Sequence, residues 1–165
     1  MNGKKWCKAF IVSGMVAATT SAWASTATTT FNVTGTVVGV CTVSAAAIPF
    51  GTTIPATITS DIDVSANITV TCASGTNYSI ALNAGSGGGS LFAARKMSSG
   101  TNQLTYSIYT NAGHTTVWGD GTSGSGTVGG TGTGAAQSII MYGRITPQTA
   151  PTGTYSDMIS VTLTY

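Results

Sequence analysis

The side chains able to do chemistry here are few: one His, four Asp, no Glu and three Cys among 165 residues. His114 follows Asn111, Ala112 and Gly113 in a turn-like stretch with no acid close in sequence. Serine-histidine-aspartate catalysis needs a nucleophile elbow such as GxSxG, which does not occur, so His114 reads as a surface histidine. Residues 124–129 spell GxGxxG, but the stretch follows a turn, no helical pattern succeeds it and no GK[ST] is present, so it does not describe a phosphate cradle. The same glycine-rich run, residues 119–134, holds only Asp120, far short of the oxygen donors of a calcium loop, and reads as a mobile, weakly charged surface loop. Tyr155 and Asp157, after Pro151 and Gly153, read as a corner tyrosine and a structural carboxylate. No residue is assigned a catalytic, metal-binding or cofactor-binding role. No cofactor is expected, and an enzyme is the least supported reading.

The cysteines acquire meaning from the N-terminus. Lys4, Lys5 and Lys8 precede an apolar run over residues 9–18, and Ala22-Trp23-Ala24 forms an A-x-A cleavage site, so residues 1–24 read as an export signal and the processed chain starts near Ser25. An uncleaved anchor is the alternative, but the run is shorter than the roughly 20 apolar residues that span a bilayer, and no second run of that length follows, so the processed protein is expected to be soluble. Removing the signal takes Cys7 and three of the six cations, leaving Arg95, Lys96 and Arg144 against four aspartates. A basic footprint for nucleic acid is then missing. Cys41 and Cys72 remain as an even pair in an oxidising compartment and read as a disulfide. Two buried thiols or half of a metal site are the competing readings, for which His114 supplies no CxxC or HxxxH set.

Positioning comes from alternation. Ile62, Val64, Ala66, Ile68, Val70 and Cys72 share one face, with Asp61, Asp63, Ser65, Asn67, Thr69 and Thr71 on the other, as in a half-buried strand or a bent pair of strands. The pattern returns at Tyr78-Ile80-Leu82, at Leu104-Tyr106-Ile108, around Ile139 to Tyr142, and along Tyr155-Asp157-Ile159-Val161-Leu163-Tyr165. Turn clusters stand between these runs, and short strands at such spacing predict a β-sandwich of about one domain.

Both ends of the pattern are odd for a self-contained sandwich. An alternating strand stops at Tyr165, while a polar stretch over residues 25–30 leads into Phe31, Val33, Gly35 and Val37 at period two. That opening segment reads either as a strand made to pair outside its own domain or as the ordinary first strand of the sheet. Val38 and Val40 fall on the opposite face, so a bulge or hinge is expected near Gly35 or Gly39.

The ordered landmarks Cys41-Thr42-Val43, Phe50-Gly51, Val70-Thr71-Cys72, Gly75 with Tyr78, Arg95 with Met97, Leu104-Thr105-Tyr106-Ser107-Ile108-Tyr109, Trp118-Gly119-Asp120-Gly121, Tyr142-Gly143-Arg144-Ile145, Gly153-Thr154-Tyr155-Ser156-Asp157 and Val161-Thr162-Leu163-Thr164-Tyr165 run through nearly the whole processed chain. With them the sequence resembles the spore coat protein U domain family, whose members supply subunits of archaic (Csu-type) chaperone-usher pili. Thr146 stands between Ile145 and Pro147, where relatives often place the proline directly.

The resemblance implies an incomplete immunoglobulin-like β-sandwich, lacking its final strand, over residues 38–165, with residues 25–37 as a donor-strand extension. It further implies a homopolymer joined through the donor strand, served by a periplasmic chaperone and an outer-membrane usher and displayed at the cell surface. Phe31, Val33 and Val37 would be the donor face; Ile159, Val161, Leu163 and Tyr165 would line the acceptor groove that the chaperone contacts first. A tip adhesin or secreted glycan-binding module stays open as the alternative, with Tyr106, Tyr109, Trp118 or Tyr142 as exposed ligand contacts.

Overall fold

The computed structural model describes residues 24–165; the predicted signal, apart from Ala24, lies outside the described residues. The described residues divide into two units, 24–36 and 37–165. Among the described residues of the first, no strand forms. Residues 31–37, read from their alternation as a strand, therefore have no ladder partner.

The second unit is all β. Its strands are β1 (Cys41–Ala45), β2 (Thr57–Ile58), β3 (Ile62–Cys72), β4 (Asn77–Leu82), β5 (Arg95–Ser99), β6 (Asn102–Tyr109), β7 (Val128–Thr131), β8 (Ala136–Ile145), β9 (Gln148–Thr149) and β10 (Val161–Thr164). They build a five-stranded sheet in the order β1-β3-β8-β6-β5, a three-stranded sheet β10-β4-β7, and a ribbon β2-β9, with every strand pair antiparallel. This is the immunoglobulin-like sandwich that the alternation and the resemblance predict.

The β3 pattern is one continuous strand rather than a bent pair, and it pairs with β8 from Ile62↔Ile145 to Thr71↔Ala136. Its apolar parity is buried at Ala66, Ile68, Val70 and Cys72 and meets Tyr78, Ile80 and Leu82 of β4 and Leu104, Tyr106 and Ile108 of β6 in one core. Trp118 closes that core with no exposed surface, its Nε1–H donating to the Ile80 carbonyl at 3.1 Å. A buried indole needs such a partner.

Two segments depart from expectation. The run from Tyr155 to Tyr165 is a single alternating pattern but not a single strand. Ser156 exchanges backbone hydrogen bonds with Ser98 of β5, and only Val161–Thr164 joins β4. The chain switches partners between them, while its side chains keep pointing to the same interior. The glycine-rich run contains β7, so it is not simply a loop. Gly130 lies under the Tyr78 ring and Gly132 against Cys72 and the Ala73 carbonyl, where no Cβ fits. Gly129 and Gly130 hide β7 from a side-chain pattern, and Gly130 and Gly132 permit its close approach.

Candidate functional site

The edge strands of the two main sheets are β1 and β5 in the larger and β10 and β7 in the smaller. β1 pairs only with β3, and β10 only with β4. Ser160 accepts from the Asn83 N–H and donates to the Asn83 side chain, and Ser156 engages Ser98, so the even-numbered residues of this stretch spend their peptide groups on the occupied side. Peptide groups alternate in direction along a strand, so those of Asp157, Ile159 and Val161 are directed to the open edge.

Between the open edges runs an apolar cleft. One part, about 450 Å³, lies among Ala45, Ala46, Ile108, Met141, Ile159 and Val161. A second, about 560 Å³, extends past Ile54, Ile58, Leu104 and Tyr155. Ile48, Phe50, Met97 and Tyr155 border both, so the two parts are adjacent. Of the predicted groove residues, Ile159 and Val161 border the cleft; Leu163 has the same parity and is half-buried but lines neither part, and Tyr165 lies past the end of β10 and is 60% exposed. Phe31, Val33 and Val37 are 83%, 84% and 98% exposed.

The wall of the cleft is held by a polar knot that alternation did not reveal. Asp157 Oδ1 accepts from the Ser86 N–H (2.7 Å) and hydroxyl (2.8 Å) and from the Met158 N–H (2.7 Å), while Oδ2 accepts from the Tyr106 hydroxyl at 2.7 Å. Burial alone would raise this carboxyl, but the hydrogen bonds to its charged form outweigh that and hold it below the usual carboxylate range. Burial, reinforced by Asp157, pushes the Tyr106 phenol up, so it stays a donor. Beneath them Arg95 is fully buried and has no carboxylate partner; its guanidinium donates to the carbonyls of Asn83 (3.1 and 2.8 Å), Phe92 (2.9 Å) and Trp118 (2.7 Å), and burial lowers its pKa. Tyr155 donates to the Pro151 carbonyl at 2.7 Å, a corner tyrosine as predicted. Gln148 was not foreseen: its amide both accepts from the Thr105 N–H (2.9 Å) and donates to the Thr105 carbonyl (2.7 Å), standing in for a strand partner of β6.

Cys41 and Cys72 are bonded, with Cα atoms 4.1 Å apart as directly paired residues of β1 and β3. His114 departs from its surface reading: its side chain is 10% exposed, and Nε2 lies 3.6 Å from Asp63, itself held by Arg144, which also reaches Asp61 at 2.9 Å. The candidate ligand aromatics divide. Tyr106 and Trp118 are core residues, while Tyr109 and Tyr142 remain partly open and pack edge-on against His114. Among the described residues no three His, Cys, Asp or Glu side chains gather as a metal site.

An all-β sandwich with a disulfide across β1 and β3 and an unfilled flank defines the class of protein. The profile of the Spore Coat Protein U domain matches residues 27–162, and the chain belongs to that family. Among solved structures it is similar to a chain of the chaperone–tip adhesion subunit pre-assembly complex (CsuC–CsuE) from archaic chaperone-usher Csu pili of Acinetobacter baumannii. The identity is 22% and the TM-score 0.59, over 79% of this chain and 41% of that one. The likeness supports the fold, and this chain spans less than half the length of that relative. No curated protein matches the sequence.

Proposed function

We propose that this protein is a structural subunit of a surface pilus of the chaperone-usher class, in which residues 25–37 of one copy complete the sandwich of the next. The observation that carries the reading is the largely apolar cleft along residues 155–161, which leads into β10, an edge strand paired only with β4. An edge of this kind is a template for an added strand, with backbone hydrogen bonds completing the ladder and alternate side chains entering the cleft. The same chain carries a fitting occupant. Residues 25–37 contain no charge, and Phe31, Val33 and Val37 fall at one parity with their surface exposed. Burying each contributes about 1.5 to 3 kcal/mol.

In this reading residues 1–24 direct export and are removed, and residues 38–165 form the acceptor sandwich, whose groove is lined by Ile159, Val161, Leu163 and Tyr165. A periplasmic chaperone covers the groove until an outer-membrane usher exchanges it for the next subunit's donor, and the fibre at the cell surface supports adhesion and biofilm formation. The relative's complex with a chaperone supports the chaperone step.

The test is the double variant Phe31→Asp with Val33→Asp. Charges in an apolar groove cost several kcal/mol each, so the variant is expected to copurify with the chaperone yet give no fibres by electron microscopy. Intact fibres would remove the donor role; loss of the chaperone complex too would return Phe31 and Val33 to an ordinary core strand.

A further inference from the structure

The inner face of the open wall reads Tyr155, Asp157, Ile159, Val161, Leu163: apolar except at one position, where a half-buried carboxylate borders the cleft. The candidate donor face reads Phe31, Val33, Gly35, Val37: apolar side chains except at one position, where there is none. Nothing in the subunit explains that glycine. A Cβ at Gly35 would meet no atom within 4 Å, and its φ lies outside the left-handed range that demands glycine. Both Asp157 oxygens are already occupied by Ser86, Met158 and Tyr106, so the carboxylate cannot turn away from an incoming strand without breaking those bonds.

We infer that Gly35 of one copy is seated opposite Asp157 of the next, and that this pairing fixes the register and direction of the inserted strand. The inference rests on the donor reading above. Residues facing each other across an antiparallel pair share a side of the sheet, and both segments carry their inward side chains at odd numbers, so the parities agree. With Gly35 opposite Asp157, an antiparallel strand sets Phe31 opposite Val161, Val33 opposite Ile159 and Val37 opposite Tyr155. Phe31, the largest donor side chain, then meets Val161 at the part of the cleft that small residues, Ala45, Ala46 and Ala47, also border. A parallel strand with the same glycine placement would set Phe31 opposite the exposed Gly153 and leave it in solvent. Only the antiparallel arrangement covers all three apolar side chains. A one-residue slip would turn them outward. A two-residue slip would press Val33 or Val37 against the carboxylate.

Facing Cα atoms in an antiparallel pair lie about 4.5–5.5 Å apart, within reach of a disulfide. Purified fibres should therefore run as a ladder of reduction-sensitive oligomers when Val33→Cys is combined with Ile159→Cys. Val33→Cys combined with Leu163→Cys or with Tyr155→Cys should stay monomeric on the denaturing gel. A ladder from either of the latter pairs would overturn the register while keeping the donor reading. Fibres with no ladder from any pair would overturn both. A second measurement needs no cysteine. Gly35→Asn and Gly35→Asp are equal in size and differ in charge, so fibre yield from Gly35→Asn should exceed that from Gly35→Asp at least tenfold. Equal yields would overturn the placement opposite Asp157.

Discussion

β4 and β10 are neighbours in the smaller sheet, alternate in the same way and face the same interior. In register, Leu82 stands opposite Val161 and Ile80 opposite Leu163. Yet Ile80 and Leu82 are 0% and 1% exposed, while Val161 and Leu163 stay half-buried. Apolarity does not separate them; neighbours do. β4 lies between β10 and β7, and Trp118, fully buried, donates its indole N–H to the Ile80 carbonyl, with Arg95 drawing the Asn83, Phe92 and Trp118 carbonyls together. β10 has a partner on one side only, and the cleft opens beside its first residue, Val161. The sandwich is thus a finished core along one flank and an unfinished one along the other.

The strongest way to break the comparison is to damage the finished flank. Trp118→Ala should destabilise the subunit by about 3 to 5 kcal/mol, read as a lowered denaturant midpoint of the isolated domain. A cost under about 1 kcal/mol would mean that the sealed flank is looser than its burial indicates.

A sharper test sets Leu82→Ala beside Leu163→Ala, the same truncation on adjacent strands. In the isolated subunit Leu82→Ala should cost about 2 to 5 kcal/mol as a cavity in a closed core, and Leu163→Ala about 1, because water already reaches that site. If the proposed donor strand extends over Leu163, the gap should narrow in the fibre. A gap unchanged between subunit and fibre would contradict filling of the cleft at that point.

The smallest effect concerns acid. The folded state holds Asp157 below its unfolded value, about 3.9, so its contribution is fully present above about pH 4 and is lost as pH falls through the lower folded value. Asp63, held low first by Arg144, titrates in the same direction. The thermal midpoint should therefore decline below about pH 4, and Asp157→Asn should flatten part of that decline. An unchanged slope in the variant would remove Asp157 from the wall's support.

Much of this was legible in the residues. The eleven-residue β3, the core parities of β4 and β6, the pairing of Cys41 with Cys72 and the corner role of Tyr155 follow from alternation, compartment and turn chemistry. Alternation reports which face a side chain takes, not which strand lies beside it, so the partner switch between Ser156 and Val161 could not be read from it. β7 escaped because glycine carries no pattern. Arg95 was visible only as a landmark: an arginine satisfied by three residues' carbonyls, with no acid partner, has no sequence signature. The contact between His114 and Asp63 joins residues far apart in the chain and appears only once Asn111–His114 folds back over the large sheet.

The bond between Cys41 and Cys72 also determines how such a fibre would carry tension. In the proposed fibre, pulling would deliver load through residues 25–37 into the N-terminal end of β1, where a hydrogen-bonded edge strand five residues long could be peeled away one pair at a time. The covalent link sits at the first residue of that strand and joins it to the last residue of β3. Force therefore bypasses the β1 ladder and passes into the longest strand of the domain, which is anchored to β8 over ten residue pairs. Rupture would then require shearing two long strands past each other rather than unzipping a short one, and reduction of one bond would convert the stronger mode into the weaker.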